Sequence, residues 1–120
     1  MRYMLMLHAD EAAGKAVAPE DMARYMGQMY AYQQALEKAA AFVSSAALVG
    51  SSEASIVRVQ GGEVSVLDGP YADVREQLGG YFIIDVADID EANKWAARCP
   101  GATWGTVEVR RIRDVSEYPG

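Results

Sequence analysis

Apolar positions along the chain fall into short continuous runs and one long helical stripe. The run at residues 3–7 is too short for a helix and lies between polar residues, which predicts a buried strand over residues 1–8. Pro19 and the two acidic residues after it suit the first turn of a helix. Apolar side chains at spacings of three and four carry this helix to about residue 40. The stripe consists of Met22, Met26, Met29, Leu36 and Ala40 and is interrupted only by Gln33.

The strongest local signal is a hairpin in the middle of the chain. Two strand-like runs flank Gly61 and Gly62, and a two-glycine turn between such runs is typical of a tight hairpin. Its register places four valines on one face, which we expect to lie in the core. Asp68 falls on the same face by the two-residue period of a strand, so we expect its carboxylate to be withdrawn from water. The four valines are Val57, Val59, Val64 and Val66.

The second half of the chain completes an α+β pattern. Residues 71–78 are expected to form a connection, and residues 81–86, apolar on both faces, predict a central strand. A second helix begins after Asp88, and residues 104–112 form a last strand. This order of elements resembles a ferredoxin-like βαββαβ unit with one extra strand. We therefore expect both helices on one face of an antiparallel sheet.

The domain organisation follows from these elements. Residues 1–113 are expected to form a single domain, and residues 114–120 a loose C-terminal tail. One face of the sheet is left without a helix, although the strands carry apolar residues on both faces. A second copy of the chain is the simplest cover for that face, so we expect a homodimer.

Composition and charge narrow the classes of function. The chain has 120 residues, with 17 acidic against 11 basic side chains and a net charge of −6. Phosphates and anionic lipids repel such a surface, so nucleic acid and membranes are not expected partners. No apolar run approaches the roughly 20 residues of a membrane span, and no signal peptide is recognisable. A single cysteine, Cys99, cannot form an internal disulfide, which fits a cytoplasmic location.

A signature-like stretch follows the hairpin. The sequence DGPYADVREQLGGY over residues 68–81 closely resembles the signature of the DGPF proteins, a branch of the YCII-related family. Tyr71, Asp73 and Arg75 stand where that family usually has Phe, Glu and Lys. The ring and the charge signs are kept, but an arginine effectively cannot lose its proton as a lysine can. The opening strand and the segments GYFIIDVADIDEANKWAARCPGA and TVEVRRI extend the resemblance over most of residues 1–113.

The resemblance implies a ferredoxin-like fold of the dimeric α+β barrel superfamily, with a cleft between sheet and helices near the dimer seam. Activity is mostly unassigned across that family. Wider YCII relatives look enzymatic because they carry a His/Asp pair in the cleft, and one branch resembles dehydrochlorinases. Some DGPF proteins are encoded beside extracytoplasmic-function sigma factors, which implies a regulatory role instead.

Three side chains are candidate catalytic groups. His8 is the only histidine, and Asp10 lies close enough in sequence to orient it as a general base. The alternative is a partly exposed histidine at a strand end with no role in function. Asp68 is either a desolvated carboxylate in a pocket or a turn residue that accepts backbone hydrogen bonds.

The connection after the hairpin supplies the candidate substrate-binding residues. These are Tyr71, Arg75 and Glu76, of which Arg75 is expected to hold an anionic or phenolic substrate. The pair Gly79-Gly80 lacks the features of a phosphate loop and is expected to allow close packing before the central strand. One histidine and one cysteine provide no ligand set for zinc, iron or copper, and no cofactor is expected.

Two functions stay open from the sequence. The first is a small cofactor-independent enzyme that performs proton abstraction or elimination on a small organic molecule. The second is a ligand-binding or regulatory module linked to a sigma factor. Two or more acid/base groups within hydrogen-bond reach favour the enzyme, whereas a cleft lined by apolar groups and Arg75 alone favours the binding module.

Overall fold

A computed structural model describes residues 1–119 as one main sheet with helices and a separate hairpin. The main sheet is antiparallel throughout, with the strand order β2-β5-β1-β6. The predicted α+β class with a ferredoxin-like arrangement is confirmed. The strands are β1 (Arg2–Asp10), β2 (Phe42–Ala47), β3 (Ser55–Gln60), β4 (Glu63–Asp68), β5 (Glu76–Asp85) and β6 (Gly105–Arg111), and the α-helices are α1 (Glu11–Lys15), α2 (Pro19–Lys38) and α3 (Ile89–Arg98).

The core lies between one face of the main sheet and the helices α2 and α3. The buried Tyr32 hydroxyl on α2 donates a hydrogen bond to the carbonyl oxygen of Trp95 on α3 at 2.7 Å. Burial raises the pKa of Tyr32, so its hydroxyl keeps the proton that it donates. Within residues 1–119, no helix combines the length and apolar content that a membrane span needs. The core residues are Tyr3, Leu5, Tyr32, Leu36, Ala41, Phe82, Ile84, Ala92, Trp95, Ala96 and Cys99.

The hairpin of β3 and β4 confirms one prediction and overturns another. Its four valines pair with each other in the predicted register, and Gly61 and Gly62 have positive φ angles of 57° and 81°. Their predicted burial is wrong, since the valines are between 59% and 67% exposed. The two strands of the hairpin pair only with each other. The radius of gyration of the chain, with the hairpin included, is 16.6 Å. A compact chain of this length would have about 13.6 Å, so the hairpin behaves as a projecting arm.

β5 begins earlier than predicted, at Glu76 rather than at residue 81. The glycine pair therefore lies inside the strand. A Cβ atom at the buried Gly80 would lie 2.8 Å from the carbonyl oxygen of Ala46 on β2, whereas at Gly79 the nearest atom would be 3.9 Å away. Close packing, the role expected for the glycine pair, is confirmed at Gly80.

The second face of the main sheet carries no helix. Met4 and Met6 on β1 lie directly beside Ile83 and Tyr81 on β5, and all four side chains are partly exposed. They share the face opposite the core because residues paired across antiparallel strands point the same way. The homodimer that would cover this face stays a prediction.

The chain beyond β6 contains a short 3₁₀ turn, Val115–Glu117. Both carboxylate oxygens of Glu117 accept hydrogen bonds from the guanidinium of Arg111 on β6. This contact lowers the pKa of Glu117 to about 2. Of the segment predicted to be a loose tail, the part over residues 114–119 is thus joined to the sheet at one point, and Gly120 lies outside the described residues.

Candidate functional site

One cleft gathers three of the predicted site residues. It lies where the ends of β1 and β5 meet the loops on either side of the hairpin, and its volume is about 560 Å³. We call it the hairpin cleft. His8, Tyr71 and Glu76 line it. Most of its other lining is apolar and comes from Leu48, Val49, Ile56, Pro70, Val74 and Leu78.

His8 is held by a carboxylate on the neighbouring strand. Its Nε2 atom lies 3.1 Å from Oε1 of Glu108 on β6. The other carboxylate oxygen of Glu108 accepts a hydrogen bond from Nε of Arg110, also at 3.1 Å. The three side chains share the sheet face opposite the core, and His8 keeps 27% of its side chain exposed. The ring is therefore fixed in place but remains accessible to a small molecule.

Asp10, the predicted partner of His8, is engaged elsewhere. Its Oδ1 atom accepts hydrogen bonds from the backbone N–H groups of Ala12 and Ala13 at 3.0 and 3.2 Å, and so caps α1. The His8–Asp10 pair is not formed, and Glu108 occupies the orienting place predicted for Asp10. Valines and charged residues alternate along residues 107–110, which puts Glu108 on the face opposite the two valines, but this pattern does not say which strand lies beside β1.

Asp68 ends β4 and is exposed opposite Ser55. The prediction of a carboxylate withdrawn from water is wrong, because the face that carries it projects with the hairpin. Gly69 follows with a φ of 109°, and its N–H donates to the carbonyl oxygen of Ala54 at 2.8 Å, which closes the base of the hairpin. Neither Asp68 nor the exposed Arg75 lines the hairpin cleft. Their catalytic and substrate-binding roles stay predictions.

Glu76 brings a second carboxylate to the His8 end of the sheet. Its Oε1 atom accepts a hydrogen bond from the hydroxyl of Thr106 at 2.8 Å, and Thr106 lies directly opposite His8 on β6. Tyr71 is 81% exposed and contributes its ring at the mouth of the cleft. The structure thus brings His8, Tyr71 and Glu76 to one cavity.

Glu11 is a residue of this region that the sequence analysis did not single out. Its Oε2 atom accepts the backbone N–H of Ser51 at 2.7 Å, and its Oε1 atom accepts the Ser51 hydroxyl. These hydrogen bonds hold the pKa of Glu11 below its ordinary value of 4.5. The two residues are 40 positions apart, so local sequence pattern contains no signal for the contact.

A second cleft of about 380 Å³ lies between α2 and the main sheet, where the family resemblance implies one. We call it the α2 cleft. None of the predicted site residues lines it. Apart from tyrosine hydroxyls, its polar side chains are Gln33 and Ser45, and the Ser45 hydroxyl donates to Oε1 of Gln33 at 3.2 Å. The walls are formed mainly by Leu7, Tyr25, Met26, Met29, Tyr30 and Phe82.

The two clefts are separated by one end of the β2–β5 ladder. Ala47 and Gly79 line the α2 cleft, and the next residues outward, Leu48 and Leu78, line the hairpin cleft. The N–H of Leu48 donates to the carbonyl oxygen of Gly79 at 2.9 Å and closes the partition.

Charges around the hairpin cleft are mainly negative. Glu53 and Glu76 line it, and among the described residues no lysine or arginine does. Within residues 1–119, no group of three or more His, Cys, Asp and Glu side chains is arranged to hold a metal ion. The titratable side chains that line the cleft are His8, Tyr71, Glu53 and Glu76.

Comparison with known proteins relates the whole fold to one family. The YCII-related domain model matches residues 1–116. An uncharacterized protein of Rhizobium meliloti (strain 1021) is 35% identical over 114 residues, which cover 93% of this chain and 92% of the relative. Both matches extend over the elements that form the two clefts.

Proposed function

Because this chain belongs to the YCII-related domain family, as its DGPY stretch indicated, we propose that it is a small cofactor-independent enzyme that moves protons on a small organic molecule. The hairpin cleft is the proposed site. The observation that carries the proposal is the 3.1 Å contact between His8, which lines this cleft, and Glu108 on the adjacent strand β6. It provides two acid/base groups within hydrogen-bond reach, which is the arrangement expected of an enzyme.

His8 is the proton-accepting group in this proposal. In the neutral ring Nε2–H donates to Glu108, which leaves the electron pair of Nδ1 free to act as the base. A C–H bond next to a substrate carbonyl gives its proton to Nδ1 and its electron pair to the carbonyl, so an enolate forms. The enolate then takes a proton back or expels a leaving group from the neighbouring carbon. Glu108 keeps the ring in the required tautomer and stabilises the imidazolium that forms.

The lining of the cleft favours a neutral, largely apolar substrate. Leucine, valine and proline side chains supply most of the contact surface, and the charged lining groups Glu53 and Glu76 repel anions. An anionic or phenolic substrate was expected from Arg75, but Arg75 lies outside the lining.

Proton exchange into D₂O tests the proposal without knowledge of the natural substrate. Phenylacetone is a neutral ketone with acidic C–H bonds, and phenylpyruvate is an anionic counterpart. We expect the protein to accelerate deuterium incorporation into phenylacetone more than into phenylpyruvate, as followed by proton NMR. The His8→Ala variant should lose the acceleration, and the Glu108→Ala variant most of it. Equal rates with wild type and His8→Ala would exclude His8 as the base.

A non-catalytic ligand-binding module is the second candidate, and the α2 cleft favours it. That cleft is apolar and holds no histidine or carboxylate, so it is suited to binding rather than to proton transfer. The link to a sigma factor rests on the family resemblance alone. Saturable binding of phenylacetone that shifts amide signals of α2 and leaves its C–H bonds unexchanged would favour this function.

We also propose that a second copy of the chain covers the apolar centre of the open sheet face and leaves the hairpin cleft near the dimer seam. The partly exposed Met4, Met6, Tyr81 and Ile83 form an apolar patch at the centre of that face, which supports this proposal. Light scattering after size exclusion should give twice the mass of one chain at micromolar concentration. A mass of 13.0 kDa, that of a single chain, would contradict the dimer.

A further inference from the structure

One wall of the hairpin cleft is a loop with few attachments. Residues 48–54 join β2 to the hairpin, and we call them the wall segment. At one end the Leu48 N–H is bonded to β5, and at the other the Ala54 carbonyl oxygen accepts from Gly69. Between these ends the backbone bonds of the segment join its own residues, at Gly50–Glu53 and Ser51–Ala54. An attachment to the rest of the fold in this middle part must come from a side chain.

Glu11 supplies that attachment. Its carboxylate accepts both hydrogen-bond donors of Ser51, the backbone N–H at 2.7 Å and the hydroxyl. Hydrogen bonds to an ionised acceptor are roughly twice as strong as neutral ones. One side chain therefore fixes both the backbone position and the side-chain rotamer of Ser51.

The location of Glu11 connects this attachment to the proposed base. Glu11 follows His8 by three residues, at the point where β1 ends and α1 begins. Asp10 caps that helix, which holds the backbone of Glu11 in place. The strand that carries His8 and the loop that forms the cleft wall are thus linked through one carboxylate.

We propose that Glu11 is a positioning residue that fixes the wall segment relative to His8 and so sets the shape of the hairpin cleft. The functional meaning of this inference rests on the proposed function of that cleft. The attachment itself does not, because it is a property of the resting fold.

Hydrogen–deuterium exchange of the wall segment tests the proposal with two variants. Glu11→Gln loses the charge and one of the two acceptor oxygens, and Ser51→Ala loses the hydroxyl. In both, we expect the amides of residues 51–54 to exchange at least tenfold faster, while amides of the β1–β5 ladder keep their rates. A double variant that combines Glu11→Ala with Ser51→Ala should exchange no faster than Glu11→Ala alone, because that substitution already removes both acceptor oxygens.

Two controls separate positioning from a general loss of stability. Ser51→Thr keeps both donors and should retain wild-type rates, and Glu20→Gln removes an exposed carboxylate on α2 and should change nothing. The ring signals of His8 should shift in Glu11→Gln and Ser51→Ala but not in Ser51→Thr, and they are easily assigned because His8 is the only histidine. Unchanged exchange in the wall segment, a uniform acceleration across the fold, or unmoved His8 signals would each overturn the proposal. None of these measurements needs turnover of a substrate. The positioning role of Glu11 can therefore fail or succeed independently of the proposed proton-transfer function.

Discussion

The α2 cleft and the hairpin cleft lie on two sides of the same ladder end but are built in different ways. The α2 cleft lies between α2 and the main sheet. Space remains beneath α2 because several residues on the sheet side are small, among them Ala9, Ala46 and Ala47. The hairpin cleft is bounded largely by loops, and of its lining acid/base groups His8 and Glu76 come from strand ends, while Glu53 comes from the loop before β3. His8 and Glu108, the groups proposed to transfer and orient a proton, are thus held by the sheet. The surface around them is formed by loops, which are generally more mobile than strands.

The difference in polar content separates the two clefts further. Gln33 and Ser45 in the α2 cleft bond to each other and have no charge to transfer. His8 in the hairpin cleft is bonded to Glu108 on a neighbouring strand. Apolar space alone indicates that a ligand fits, while an oriented proton acceptor indicates what can happen to it.

The largest effect that can break this comparison is expected from His8→Ala. Loss of a general base typically costs about 10²–10⁴-fold in rate, so deuterium incorporation into phenylacetone should fall at least about 100-fold. Proton NMR in D₂O measures it directly. The assignment of chemistry to the hairpin cleft is reversed if Met26→Ala, in the wall of the α2 cleft, gives the greater loss.

The partition between the clefts should be sensitive to a single methyl group. Gly80→Ala places a Cβ atom 2.8 Å from a backbone oxygen of β2, so β2 must move. Overpacking of this kind costs about 1–3 kcal/mol, and we expect a loss of about 2 kcal/mol in the free energy of unfolding. Urea denaturation measures it. Gly79→Ala is the matched control, since its nearest neighbour lies at 3.9 Å, and an equal loss in both variants would rule out crowding as the cause.

A fall in pH is expected to loosen the wall segment of the hairpin cleft before it affects the α2 cleft. Because the pKa of Glu11 in the fold lies below its ordinary value of 4.5, the attachment of the wall segment is fully present above that value. It is lost as the pH falls below 4.5 and through the lowered value, where Glu11 takes up a proton. Amide exchange of residues 51–54, corrected for the intrinsic pH dependence, should therefore accelerate there while α2 keeps its protection. Parallel acceleration in both regions would contradict the local origin of the effect.

The smallest effect on stability is expected from Tyr71→Ala. The Tyr71 ring is 81% exposed, so its removal should change the free energy of unfolding by no more than about 0.5 kcal/mol. Turnover of phenylacetone should nevertheless decrease, because the ring contributes to the mouth of the cleft. A large loss of stability would mean that Tyr71 is buried in solution, as it could be in a dimer.

The sequence was sufficient for the parts of the fold that depend on local pattern. The register of the hairpin follows from Gly61 and Gly62, and the stripe on α2 places Leu36 in the core. It was insufficient where burial depends on what lies nearby. The hairpin valines alternate as a core strand would, yet they pair only within the hairpin.

The site was predicted in part for the same reason. His8 and Glu76 were chosen by residue type, and both line the hairpin cleft. Sequence proximity suggested Asp10 as the partner of His8, but the Asp10 carboxylate instead accepts backbone hydrogen bonds as the N-cap of α1. Glu108 lies 100 residues from His8, and only the strand order brings the two together. Contacts set by topology cannot be inferred from spacing along the chain.

The missing side chain at Gly80 also bears on how such a protein can diverge. The partition depends on backbone contact at this point, so it is not held by contacts between the larger side chains that line the two clefts. Descendants can therefore replace the lining of one cleft without disturbing the other. A side chain at position 80, by contrast, would displace β2, which borders both clefts.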